Sequence, residues 1–195
     1  ELAPELVNPG LVTGAVWTDY NQDDQMDLVV VGEWMPITLY ENQSGKFKSI
    51  TKLAGLEDTN GWYYSITSAD FDNDGDEDVL ITGVYYSTWI AKLYSNSGGN
   101  FTLVPGTPFD GVNASDIDFG DVDGDGDEDV MISGQADVSS SYAKKTQLYI
   151  NNVLCSSSYN LKDAAATCSN PTFCVALESV FPITSGLFGV DYTLD

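Results

Sequence analysis

Three acidic nonapeptides hold the residues best suited to chemistry in this chain. They read Asp19-Tyr-Asn-Gln-Asp-Asp-Gln-Met-Asp27, Asp70-Phe-Asp-Asn-Asp-Gly-Asp-Glu-Asp78 and Asp121-Val-Asp-Gly-Asp-Gly-Asp-Glu-Asp129. Carboxylates at positions 1, 3, 5 and 9 of so short a loop can all turn inward, and the backbone carbonyl of position 7 adds another oxygen. Such a set suits a hard cation that takes six to eight oxygens, and calcium is the expected ion. A glycine at position 6 permits the left-handed turn that wraps the chain round it.

Loop two meets every demand, with Asp70, Asp72, Asp74 and Asp78 as side-chain ligands, Gly75 as pivot and Asp76 through its carbonyl. Loop three repeats the set with Asp121, Asp123, Asp125 and Asp129, Gly126 and the carbonyl of Asp127. Loop one keeps Asp19, Asp23 and Asp27 but has Asn21 at position 3, Gln25 at position 7 and Asp24 in place of the glycine. It is expected to bind more weakly or stand empty. Without a cation these loops would be solvated acidic turns, but four convergent carboxylates repel one another strongly. An EF-hand is excluded, because position 12 is Val30, Ile81 or Ile132 instead of glutamate and a strand follows.

The loops sit in a repeat. Asp19, Asp70 and Asp121 are 51 residues apart in each step. After each loop comes an apolar run ending in glycine: Leu28–Gly32, Val79–Gly83 and Val130–Gly134. Further on stand Leu39-Tyr40, Leu93-Tyr94 and Leu148-Tyr149. Short runs rich in Val, Ile, Leu and Tyr, bounded by Gly, Asn, Asp and Ser, read as strands. Each unit is therefore strand, acidic turn, strand, loop, strand, turn, strand. The expected fold is all-β, built of four-stranded antiparallel β-propeller blades, about three of them with the start of a fourth. A stacked solenoid is the alternative. A short helix is expected only near Leu161–Ala166.

Composition narrows the function. Thirty acids against 7 basic residues leave a net charge of −23, and 16 of those acids lie in the three loops. Three bound calcium ions would bring the charge only to −17. Nucleic acid is excluded, since no basic patch could release its counterions. No apolar run is long enough to span a bilayer. Histidine is absent, which removes the commonest general base. With 43% hydrophobic and 12% aromatic residues the chain has the material for a core. Every conspicuous carboxylate pair belongs to a loop, so no catalysis is expected.

The D-x-D-x-D-G-x-x-D loop, the strand ending in glycine and the downstream Leu-Tyr-x-Asn resemble the FG-GAP/VCBS repeats of integrin α-subunit heads and many secreted proteins. The likeness covers about residues 11–151. It implies a calcium-binding propeller, typically of seven blades, and adhesion, ligand recognition or a structural role more often than catalysis. The expected partners are a protein or a glycan. A lectin-like alternative rests on Trp34, Trp62, Tyr63, Tyr64, Tyr85, Tyr86 and Trp89, which fall where blade loops emerge.

The expected organisation is three blades over 1–151, a cysteine-containing insertion or connection over 152–185, and the start of a fourth repeat over 186–195, where Asp191, Thr193 and Asp195 match loop positions 1, 3 and 5. The chain begins at Glu1 without a leader, as expected of a processed chain or a piece of a larger protein. The rival expectation is open blade ends completed by another copy, in a homo-oligomer or filament. Cys155, Cys168 and Cys174 suggest a local disulfide, and sequons at Asn42, Asn100 and Asn113 agree with a secreted or cell-surface location.

Overall fold

Alternation at period two turns each apolar run into a strand with two usable faces, and the loops between them are short enough to make antiparallel neighbours. The computed structural model describes residues 3–136, 143–151 and 178–182. Blade one comprises β1 (Leu11–Thr18), β2 (Asp27–Met35), β3 (Thr38–Asn42) and β4 (Phe47–Ser49). Blade two comprises β5 (Gly61–Ala69), β6 (Asp78–Tyr85), β7 (Thr88–Ser97) and β8 (Asn100–Leu103). Blade three comprises β9 (Asn113–Gly120), β10 (Asp129–Ala136), β11 (Ala143–Ile150) and β12 (Glu178–Pro182). The protein is all-β, with propeller-like blades. A single 3-10 turn, Pro4–Val7, precedes them, and no helix among the described residues is long and apolar enough to cross a membrane.

Strand β12 lies inside the segment expected as a connection. It pairs antiparallel with β11 from Ile150↔Glu178 to Gln147↔Pro182, so the fourth strand of blade three is drawn from within that span. Cys155, Cys168, Cys174, the expected helix at 161–166 and the fourth repeat at 186–195 lie outside the described residues.

The two faces of each blade are assigned by residue parity. In β3, Leu39 points toward blade two and Tyr40 away from it; Leu93 and Tyr94 repeat this one blade on. Val29, Val31, Leu39 and Tyr20 of blade one therefore meet Ile66, Val79, Ile81 and Tyr94 of blade two in one core. Phe71, Leu80 and Leu93 meet Ile117, Val130, Ile132 and Tyr149 of blade three in a second. Each such side chain, fully buried, contributes about 1.5–3 kcal/mol. The cores lie between blades, so a blade is held by its neighbours more than by itself. On blade three the corresponding positions are open: Val122 is 55% and Met131 48% exposed, where Tyr20, Phe71, Val29 and Leu80 are buried.

Blades one and two differ from the expected separate sheets. Strand β2 pairs with β3 only over Leu28–Val30, which leaves backbone groups near its end without a partner on that side. Strand β5 supplies one through Glu33↔Trp62 and Met35↔Gly61, and β1–β8 become one continuous sheet. The glycine that ends each apolar run also acquires a reason. A Cβ on Gly32 would meet the Leu11 carbonyl oxygen at 2.1 Å, on Gly83 the Trp62 oxygen at 2.4 Å, and on Gly134 the Asn113 oxygen at 2.9 Å. These three carbonyls occupy the same repeat position, where the start of the inner strand crosses the glycine. No side chain fits there.

Candidate metal centre

Each acidic loop joins the inner strand of its blade to the second strand, so all three emerge at one end. The chain turns twice through left-handed backbone in each: at position 4 (Gln22 φ 57°, Asn73 φ 57°, Gly124 φ 80°) and at position 6 (Asp24 φ 62°, Gly75 φ 97°, Gly126 φ 95°). Loop one thus keeps the shape of the others even though Asp24 stands where they have glycine. What sets it apart is its donors, not its fold.

The position 1 carboxylate organises the turn. Asp70 accepts the Asp74 and Gly75 N–H groups, both at 3.0 Å. Asp19 accepts those of Asp23 and Asp24 at 3.0 and 2.9 Å, and Asp121 those of Gly124 and Gly126 at 2.7 and 3.1 Å. The position 5 carboxylates accept from the position 7 N–H: Asp23 from Gln25, Asp74 from Asp76, Asp125 from Asp127.

Position 9 is buried and structural as well as acidic. Asp78 accepts the Asn96 N–H at 2.8 Å and the Phe71 N–H at 3.1 Å. Asp129 accepts the Asn151 N–H at 2.8 Å and the Val122 N–H at 2.9 Å. Asp27 accepts the Asn42 N–H at 2.6 Å, and its Oδ2 is buried with no partner. These asparagines are the last residue of Leu-Tyr-x-Asn, and their amides reach back one blade: Asn96 Nδ2 donates to the Tyr20 carbonyl at 2.7 Å and Asn151 Nδ2 to the Phe71 carbonyl at 2.8 Å. In blade one the same amide, on Asn42, donates to Met26 O, a nitrogen that glycosylation of this sequon would engage.

Three carboxylates converge in every loop, with oxygens all within 4.8 Å of one another: Asp19, Asp23 and Asp27; Asp70, Asp72 and Asp78; Asp121, Asp123 and Asp129. Asp74 and Asp125 fall outside these closest groups. In loop two, Asp72 Oδ1 is buried with no hydrogen-bond partner. Burial, reinforced by the Asp74 charge, pushes Asp72 up to about 6, and burial with the charges of Asp72 and Asp74 pushes Asp78 up to about 8. Asp27 is likewise pushed up to about 6 by burial and the charges of Asp23, Asp19 and Glu41. An orphaned oxygen amid carboxylates that resist ionisation fits a hard cation, and the oxygen-only donor set fits calcium. In loop one the fit is poorer, because Asp23 Oδ2 already accepts from Asn21 Nδ2 at 3.4 Å and Gln25 Nε2 at 3.1 Å. Amides occupy part of what a cation would need.

Residues 19–81 match the FG-GAP-like repeat family, from the start of the first acidic loop into the strand after the second. Loop three lies beyond the matched residues and repeats the acidic motif in the same register. No curated protein matches the chain.

Position 7 holds what the sequence reading missed. Asp76, expected to offer only its carbonyl, accepts the Gly98 N–H at 2.8 Å and Gln22 Nε2 at 3.0 Å through its side chain. Gln25 accepts the Ser44 N–H at 2.8 Å in the same manner. The side chain of position 7 thus ties its FG-GAP-like loop to the hairpin turn between the blade's third and fourth strands.

The aromatic residues gather at the opposite end. Tyr63 is core. Trp34, Trp62 and Tyr64 form a chain of rings with centroids 5.6 and 6.4 Å apart, and Tyr85 meets Tyr86 edge-on at 4.7 Å with Lys92 Nζ 5.0 Å from the Tyr85 ring. Trp34 (φ 57°, 69% exposed) is the penultimate residue of β2, and Tyr86 (φ 56°, 84% exposed) lies in the turn between β6 and β7.

Proposed function

We propose that the protein is a calcium-binding, extracellular interaction module of adhesion or structural type, working as part of a larger protein or assembly and without catalytic activity. The single observation that carries this reading is loop two, where Asp72, whose Oδ1 is buried without a partner, converges with Asp70 and Asp78. A cation there neutralises the crowding and locks the β5–β6 hairpin that places the rest of the blade. Extracellular modules commonly bind calcium with Kd of about 10⁻⁴–10⁻³ M, so such sites fill outside a cell and empty inside it. FG-GAP-like repeats being typical of extracellular proteins supports the same location. Calorimetric titration of the EDTA-stripped protein is expected to show two binding events and a weaker third. Each filled site should stabilise the fold by about 1.4 kcal/mol at ten times its Kd. No heat, and identical melting with calcium or EDTA, would overturn the reading.

A second reading has one specific observation behind it. Large aromatic residues rarely adopt left-handed backbone, and doing so at two exposed positions, near the end of β2 and just after β6, suits presentation of ring faces to a ligand. A glycan is the partner that flat, exposed rings favour. Binding to a neutral-glycan array, lost on Trp34→Ala with melting unchanged, would support it; an array without signal would dismiss it.

A further inference from the structure

The FG-GAP-like loops touch one another, and the contact has a direction. From position 4 of loop one, Gln22 Nε2 donates to the Gly75 carbonyl at 2.5 Å and to Asp76 Oδ1 at 3.0 Å in loop two. From position 4 of loop two, Asn73 Nδ2 donates to Asp127 Oδ1 at 2.5 Å in loop three. Position 4 of loop three is Gly124, which has no side chain to hand on.

We propose that Gln22 and Asn73 are positioning residues for the cation site of the following blade, so that each loop is set by the one before it. This deepens the calcium reading and rests on it. The geometry is specific in loop two. The peptide unit joining Gly75 to Asp76 is held at its carbonyl by Gln22 and at its N–H by Asp74 Oδ1 at 2.9 Å. That unit directly precedes the carbonyl of Asp76, the position 7 ligand, and Gly75 at φ 97° is free to swing unless it is held. Gln22 therefore fixes the peptide next to a ligand without itself offering an oxygen to that ion. In loop three Asn73, one methylene shorter, holds the position 7 carboxylate. The left-handed φ of 57° shared by Gln22 and Asn73 gives both side chains the same departure toward the next blade. Loop one, the poorest binder by its own donors, acquires a task that needs no metal of its own.

The proposal is tested by following the Gly75 and Gly126 amide resonances of the ¹⁵N-labelled chain during calcium titration, one reporter for each loop. Gln22→Ala is expected to weaken binding at Gly75 by roughly 3- to 10-fold, the worth of one or two hydrogen bonds, and to leave Gly126 unchanged. Asn73→Ala is expected to weaken Gly126 by a similar factor. Gln22→Asn, too short to reach both acceptors, should fall between wild type and alanine. If both glycines titrate in the wild type and neither variant alters its target selectively, the relay is wrong while the calcium reading stands. Equal weakening at both glycines, a general loss of fold, also overturns the relay. If the wild-type glycines ignore calcium, both readings fall together.

Discussion

Loops one and two have the same backbone path and differ in what fills it. Both pass through left-handed positions 4 and 6, and both converge three carboxylates. In loop two the inward oxygen of Asp72 has no partner; in loop one the place of Asp72 is taken by an amide that donates to Asp23. The difference separates what shapes the loop from what a cation would use. Shape comes from the position 1 carboxylate accepting two backbone N–H groups, while the proposed binding would draw on the oxygens left over, Asp72 Oδ1 in loop two and Asp27 Oδ2 in loop one.

The sharpest way to break the comparison is at position 9. Asp78→Ala strands two buried N–H groups and is expected to cost about 2–6 kcal/mol in EDTA, whereas Asp27→Ala strands one and should cost about 1–3 kcal/mol. Urea unfolding of both variants measures this, and equal losses would show that the Phe71 N–H contact carries no weight. Next in size is the pH dependence of the metal-free protein. Asp78 near 8 and Asp72 near 6 bind protons more tightly folded than unfolded. Their stabilising contribution is complete below about pH 4, the ordinary Asp value, and is lost as pH rises through 6 and 8. Melting in EDTA should therefore be higher at pH 5 than at pH 8.5, with calcium flattening the slope. A melting point that climbs with pH in EDTA would contradict the assigned shifts. Smaller still is repair of loop one. Asp24→Gly removes a left-handed non-glycine residue, and with Asn21→Asp it restores the donor set. Stability should gain about 0.5–1 kcal/mol, and the weakest calorimetric event should tighten toward the other two. Unchanged binding would mean that Gln25 rather than Asn21 limits the site.

Much of this was legible in the residues. Hairpin order and the opposite faces of Leu and Tyr in Leu39-Tyr40 follow from period-two alternation along the repeat; of the four carboxylates the motif offers in loops two and three, three converge while Asp74 and Asp125 fall outside. What stayed hidden depends on neighbours in space. Asn96 looks like an ordinary turn residue until its amide is found on Tyr20, 76 positions earlier. Asp76 reads as solvent-facing until Gly98 and Gln22 are brought to it. Asparagine and glycine at position 4 were the one available hint of a second left-handed turn. The β2–β5 ladder had no signal, because it arises from backbone left over by a short β3 pairing.

The asparagine amides that link blades also make a statement about how the molecule opens. The N–H groups of Asn96 and Asn151 are buried and donated to carboxylates that other strands hold in place, while their side chains grip the preceding blade. Such a proton meets water only when two adjacent blades separate. Solvent deuterium should therefore reach these two amides at the slow rate of a multi-blade event, while Asn42, whose side chain stays within its own blade, exchanges by the cheaper fraying of one edge. Cooperativity along the array would then be written in exchange kinetics, as nearest-neighbour coupling is in other repeat proteins.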